Sequence, residues 1–88
     1  MHKILITGPS GSGKSLILNG LRREYKARGY KAIFIDNYDK GDNLETFIEV
    51  ELRALPAEAH PEFCVITSNE SPEDLDCDFL RVIRTGRS

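Results

Sequence analysis

Residues 3–29 of the chain read KILITGPSGSGKSLILNGLRREYKARG and join a short apolar run, a glycine-rich loop and an amphipathic segment. Residues 3–7 are largely β-branched or apolar and end at glycine and proline, which predicts a buried strand followed by a loop. From Lys14 to Arg28 apolar side chains recur every three or four positions, which predicts a helix of about four turns. Gly29 follows as a left-handed C-terminal stop.

The loop fits the pattern G-x-x-x-x-G-K-S/T at every fixed position. Its residues are Gly8, Pro9, Ser10, Gly11, Ser12, Gly13, Lys14 and Ser15, and Leu16 follows on the helix. Glycine lets backbone amides converge on a phosphate group, because a side chain there would block the approach or forbid the dihedral angles. The first amides of the helix lack partners within it and face the same point. We therefore expect residues 8–16 to bind a nucleoside triphosphate, with Lys14 on the β- and γ-phosphates and the Ser15 hydroxyl on Mg²⁺.

The remainder of the chain alternates between strand and helix patterns. Asp42 and Glu45 form a capping box that predicts the start of a second helix, which Pro56 ends. Residues 71–74 place proline at the first position of a short helix. Three further strands are predicted at residues 31–36, 63–68 and 79–83. This alternation predicts an α/β fold with a parallel sheet and right-handed crossovers.

Length and composition limit the chain to one small domain, residues 1–88. There are 14 acidic and 12 basic residues, and the net charge of −2 gives no electrostatic reason to expect a nucleic-acid surface. Every apolar run is far shorter than the ~20 residues that cross a bilayer, and no signal-peptide pattern follows Met1. Cys64 and Cys77 are too few for a disulfide framework. We expect a cytoplasmic protein that does not enter a membrane.

With this loop the chain resembles the P-loop NTPases, and two later segments resemble the AAA-type ATPases among them. Residues 33–39, IFIDNYD, are similar to the strand that ends in Asp-Glu in that family. Residues 65–69, VITSN, followed by SPEDLD, are similar to the strand that ends in a polar sensor. The resemblance implies that Asp36 holds Mg²⁺ through water and that Asn69 positions the attacking water or touches the γ-phosphate.

One departure from the family concerns hydrolysis. Asn37 stands where the resemblance expects the catalytic Glu, and an amide cannot accept a proton from water. We therefore expect slow or absent hydrolysis unless Asp39 or Glu70 takes that role. ATP is favoured over GTP, because the Asn/Thr-Lys-x-Asp pattern typical of guanine recognition is missing.

A second resemblance competes with the first. The loop and the Asp36 segment are also similar to small-molecule kinases of the uridine-kinase and adenylylsulfate-kinase type, in which that Asp faces the acceptor hydroxyl. The chain is one strand and one helix shorter than the AAA core, and both resemblances then imply the strand order 2-3-1-4 with helices on both faces. The segment that ends at Asn69 favours the ATPase interpretation. A nucleotide-binding module without turnover is the third alternative.

The crossovers also predict a partner. Right-handed connections in this order place the first helix alone on one face of the sheet, and one helix cannot cover four strands. We expect an uncovered apolar strip near Phe34, Cys64 or Ile83 to be buried against a second copy of the chain or another protein.

Overall fold

A computed structural model gives the fold of residues 1–38, 43–75 and 77–86. The strands are β1 (His2–Thr7), β2 (Ala32–Tyr38), β3 (Phe63–Ser68) and β4 (Arg81–Arg84), the helices are α1 (Lys14–Arg28) and α2 (Leu44–Arg53), and 3₁₀ turns occupy Ala57–Ala59 and Pro72–Asp74. The strands form one all-parallel sheet in the order β2-β3-β1-β4. The predicted α/β class, the parallel sheet and its strand order are confirmed.

The register of the sheet brings the ends of three strands together. Thr7, the last residue of β1, lies opposite Ser68 on β3 and Arg84 on β4. Because parallel strands all end at the same edge, the segments that follow them gather there, beside the glycine-rich loop that follows β1.

Two apolar clusters place the helices on opposite faces of the sheet. On one face Leu18 of α1 packs with Ile4, Ile6 and Val65. On the other face the buried side chains come from α2, the sheet and the segment before β4, and they are Leu5, Tyr38, Leu44, Ile48, Cys64, Ile66 and Leu75. Neighbouring residues of a strand point to opposite faces, so the predicted arrangement with helices on both faces is confirmed.

The helix ends follow local capping rules, with one correction. Gly29 ends α1 with φ 75°, as predicted for a left-handed stop. The predicted capping box of Asp42 and Glu45 is wrong, because α2 starts one residue later, and the Asn43 side chain accepts the Thr46 amide at 3.2 Å. Asp42 itself lies outside the described residues. Across residues 1–38, 43–75 and 77–86, neither helix has the length and apolar character to cross a bilayer.

Three strands differ from their predicted bounds, and β1 differs only in starting one residue earlier, at His2. β2 does not end at Asp36 but continues to Tyr38 through a bulge, in which Asn37 has φ 60°. The bulge keeps the strand paired with β3 beyond the point where the polar residues suggested a turn. β4 begins at Arg81 instead of residue 79, and the segment before it packs against the α2 face.

The expected uncovered strip is only partly found. Cys64 was the wrong candidate, because it is completely buried under α2. Phe34 and Ile83 are half-buried around the α1 cluster. Two of the exposed apolar side chains lie at the β4 edge, where Leu80 is 63% and Val82 36% exposed. β4 is an edge strand, so one of its flanks has no neighbouring strand to cover it.

Candidate functional site

The glycine-rich loop, residues 8–15, joins β1 to the first turn of α1. Gly13 is the N-cap of α1 with φ 90°, in the left-handed region that side chains disfavour. The first helical hydrogen bond runs from the Ile17 amide to the Gly13 carbonyl at 3.2 Å, so the preceding amides have no partner within the helix. The first turn of α1 carries no acidic side chain. The start of this helix therefore presents amides that have no partner within the helix, and a positive dipole end, to an anion.

Lys14 is folded back over the loop. Its side chain is only 8% exposed, and Nζ donates to the carbonyl oxygens of Gly8 at 2.8 Å and Pro9 at 2.7 Å. The two carbonyls hold the ammonium group beside the open amides of α1, which places the positive charge at the loop.

A hydrogen-bond network connects the loop to β2 and β3. The Ser15 hydroxyl donates to the Asp36 carboxylate, with Oγ 3.2 Å from Oδ2 and 3.3 Å from Oδ1. The Thr67 hydroxyl donates to Asp36 Oδ1 at 2.6 Å and accepts the Asn37 amide at 2.6 Å. Asp36 is thereby fixed from two sides, and its carboxylate lies next to the hydroxyl that begins α1.

A cavity of about 520 Å³ opens over the loop and the ends of β2 and β3. It is lined by Ser10, Gly11, Gly13, Lys14, Ser15, Leu16, Asp36, Asn37, Thr67 and Asn69. The fold therefore brings six of the nine predicted phosphate-binding residues, the predicted metal ligands and the predicted sensor Asn69 around one space. Gly8, Pro9 and Ser12 belong to the same loop but lie outside the cavity lining.

Of the two residues predicted as substitutes for the catalytic base, only Glu70 lies among the described residues, and it does not line this cavity. Asp39 lies outside the described residues. Glu70 is absent from the described lining, and its main chain is tied on both sides. Its carbonyl accepts the Thr7 hydroxyl at 2.6 Å, and its amide donates to Ser68 Oγ at 3.1 Å. The main chain of Glu70 therefore stabilises the turn in which Asn69 lies.

Sequence reasoning missed the roles of Thr67 and Thr85. Thr67 is completely buried and orients Asp36. The sequence feature that could have indicated this role is a single threonine within the apolar strand at residues 63–68. Thr85 connects the glycine-rich loop to the end of β1. Its amide donates to the Thr7 carbonyl at 2.8 Å, and its hydroxyl is hydrogen-bonded to the Ser12 hydroxyl. A Cβ on Gly8 would lie 2.1 Å from Thr85 Oγ1, so only glycine fits there. No local pattern near residue 85 indicates this contact.

The arrangement as a whole combines an anion-binding helix start, a held lysine and a hydroxyl–carboxylate pair. Hydroxyl and carboxylate oxygens are ligands that Mg²⁺ prefers. Within the described ranges no three His, Cys, Asp or Glu side chains converge to hold a metal by themselves.

Comparison of the chain with models of protein families, with curated proteins and with solved structures finds no significant match.

Proposed function

We propose that the chain is a P-loop NTPase-like protein, similar to a reduced AAA-type ATPase core, and that it binds a magnesium nucleoside triphosphate. The observation that carries the proposal is the position of Ser15 Oγ, 3.2 Å from the Asp36 carboxylate and beside the first amides of α1, which have no partner within the helix. A phosphate chain on those amides would leave its oxygens next to a pair of hard metal ligands.

Each part of the cavity has a role in this proposal. The amides at the start of α1 and the loop backbone bind the phosphates, and Lys14 moves from the Gly8 and Pro9 carbonyls to the β- and γ-phosphates. Ser15 and Asp36 would hold Mg²⁺. The ion, when bound, neutralises charge on the phosphate oxygens. Thr67 keeps the Asp36 carboxylate turned toward Ser15.

Hydrolysis is proposed to be weak or absent. Asn37 and Asn69 line the cavity beside Asp36, and their amides can orient a water molecule but cannot take its proton. Asp36 is engaged with Ser15 and Thr67. The proposed activity is therefore nucleotide binding first, with ATP ahead of GTP and little turnover.

Titration with fluorescent ATP and GTP analogues, with and without Mg²⁺, tests the proposal. We expect saturable binding that Mg²⁺ strengthens, and we expect Lys14→Ala to lose it. Asp36→Asn should retain binding without Mg²⁺ and lose the gain that the metal gives. Released phosphate should stay near background in every case.

The matched control is Lys26→Ala, which removes the same charge from an exposed position of the same helix, away from the cavity. It should bind as the unmodified chain does. Circular dichroism and thermal melting establish that each variant is folded. Equal affinity in Lys14→Ala and Lys26→Ala, with both folded, would refute the proposed site.

A further inference from the structure

The exposed charges are divided between the two helices. The outer surface of α1 beyond the cavity is basic, with Arg22, Arg23, Lys26 and Arg28 against Glu24. Glu24 is already paired with Arg28, Nη2 to Oε1 at 3.0 Å. The surface of α2 is acidic, with Glu45, Glu49 and Glu51 against Arg53. Since α1 and α2 cover opposite faces of the sheet, the basic helix surface and the acidic helix surface lie on opposite sides of the sheet.

The spacing of the charges is the same on both sides. Arg22 and Lys26, the basic pair, are four residues apart on α1, and Glu45 and Glu49, the acidic pair, are four residues apart on α2. Side chains four apart on a helix lie one above the other, roughly 5–6 Å apart at Cβ. Two cations and two carboxylates therefore have the same separation along their helices.

Both pairs are available for a partner. In the part of the chain that the structure describes, the ion pairs are Arg28–Glu24 and Arg84–Glu73, so neither pair is neutralised there. All four side chains belong to exposed residues. Their described contacts are the Cys77 thiol, 3.7 Å from Glu45 Oε1, and the Phe34 ring beneath Arg22.

Two neighbouring features favour a protein surface as the partner. The Arg22 guanidinium lies over the Phe34 ring, 5.1 Å from its centroid, which restrains the side chain before any partner arrives. Val50, the residue after Glu49 on α2, is 54% exposed and can bury apolar area against the aliphatic part of a basic side chain. The net charge of −2 repels a polyanion at long range, whereas an acidic surface is present on every copy of this chain.

We propose that copies of the chain associate head to tail, with Arg22 and Lys26 of one copy against Glu45 and Glu49 of the next. The contact joins two different surfaces, so an assembly of any length still has one free basic side at one end and one free acidic side at the other. Association therefore continues past the dimer as concentration rises. Arg22 is six residues from Leu16, about 9 Å along α1, so the contact leaves the loop open and does not depend on a nucleotide.

Sedimentation velocity on the full chain without nucleotide tests the proposal. The average mass should rise with protein concentration at about 0.02 M salt and return to the monomer at about 0.5 M, where screening is strong. R22E/K26E and E45K/E49K should each remain monomeric at low salt. An equimolar mixture of the two should associate again, and the four-fold variant R22E/K26E/E45K/E49K should associate with itself, because its charges are exchanged.

Controls separate specific contact from a general charge effect and from misfolding. E58K/E62K changes the net charge as E45K/E49K does, at exposed positions outside α2, and should associate as the unmodified chain does. Glu45 lies in the first turn of α2, so E49K alone, which leaves that turn intact, should weaken association in the same direction.

Three outcomes would overturn the proposal. The first is a monomer under all conditions, and the second is association that neither reversal weakens. The third is a monomeric chain that binds a single-stranded oligonucleotide through Arg22 and Lys26, which would assign the basic pair to nucleic acid instead.

Discussion

The carboxyl edge of the sheet is packed with glycines and hydroxyl groups, whereas the amino edge is packed with aromatic rings. At the carboxyl edge Gly8 and Thr85 approach so closely that no Cβ fits between them. At the amino edge Phe63 is surrounded by rings, with centroids of Tyr25, Tyr30 and His2 at 5.1, 5.5 and 5.7 Å. One edge depends on short distances between backbones, and the other depends on apolar area.

The contrast separates binding from stability. At the carboxyl edge, small residues leave backbone amides exposed at the cavity and contribute little apolar burial. We therefore expect this edge to contribute to ligand binding more than to stability. The aromatic rings bury large areas and hold α1 to the sheet through Tyr25. Substitutions at the two edges should therefore have different kinds of effect.

The largest effect is expected for Gly8→Ala. The new Cβ would lie 2.1 Å from Thr85 Oγ1 and 2.7 Å from the Thr85 carbonyl oxygen, so the loop or the chain after β4 must move. We expect a loss of about 3 kcal/mol in the free energy of unfolding, measured by urea denaturation. The control is Gly20→Ala on α1, where nothing lies within 4 Å of the new Cβ and a gain of about 0.5–1 kcal/mol is expected. If Gly8→Ala and Gly20→Ala were equally stable, the close approach of Gly8 to Thr85 would be contradicted.

A smaller loss is expected at the aromatic edge. Phe63→Ala removes a half-buried ring and should lower the free energy of unfolding by about 2 kcal/mol, less than for a fully buried Phe. Phe63→Leu keeps much of the apolar area and should lose less than half as much. Nucleotide affinity, measured on the folded fraction, should be unchanged in both. A parallel drop in affinity would mean that the two edges are coupled.

High pH should lower the free energy of unfolding through Cys64, which lies in the core between the two edges. Burial raises the pKa of the Cys64 thiol to about 12 from an ordinary value of 9.0, so the folded chain keeps the proton that the unfolded chain releases. The contribution of the buried, protonated thiol to the free energy of unfolding is complete below pH 9. It is lost as pH rises from 9 toward 12, by up to about 1.4 kcal/mol per pH unit. Urea denaturation at pH 8 and pH 10 measures it. Cys64→Ala should be less sensitive to pH than the unmodified chain, and an equal slope would contradict the assignment to this thiol.

The smallest effect is expected at the bulge. Asn37 has φ 60°, which costs an alanine roughly 1 kcal/mol more than a glycine. Asn37→Ala should therefore be less stable than Asn37→Gly by about that amount in thermal or urea unfolding. If the alanine variant is as stable as the glycine variant, the residue does not hold this conformation.

The sequence was sufficient for features set by local pattern or by spacing. The Lys14–Arg28 helix and the 63–68 strand were predicted at their observed bounds, because helical periodicity, Gly29 and the apolar run define them locally. The grouping of Ser15, Asp36 and Asn69 was expected as well, from the resemblance of the loop and the two strand ends to the P-loop NTPases.

Contacts between distant parts of the chain were not predictable in the same way. Thr85 meets Ser12 only because β4 pairs with β1, and its position depends on a register that no short segment encodes. The bulge at Asn37 is a second case, because Asp-Asn after an apolar run is as typical of a turn as of a strand that continues. Asn43 rather than Asp42 caps α2, and both residue types are good caps.

The bulge in β2 contains one residue, Asn37, that the packing of the core does not require. Ile35 pairs with Ile66 and Tyr38 with Ser68, so two residues of β2 stand opposite Thr67 alone. A chain shortened by deletion of Asn37 would pair regularly and would still turn Tyr38 toward the α2 side of the sheet, where its ring is buried. The shorter strand would lose only a side chain that lines the cavity and an amide that holds Thr67. The length of β2 is thus adjusted to the cavity and not to the core.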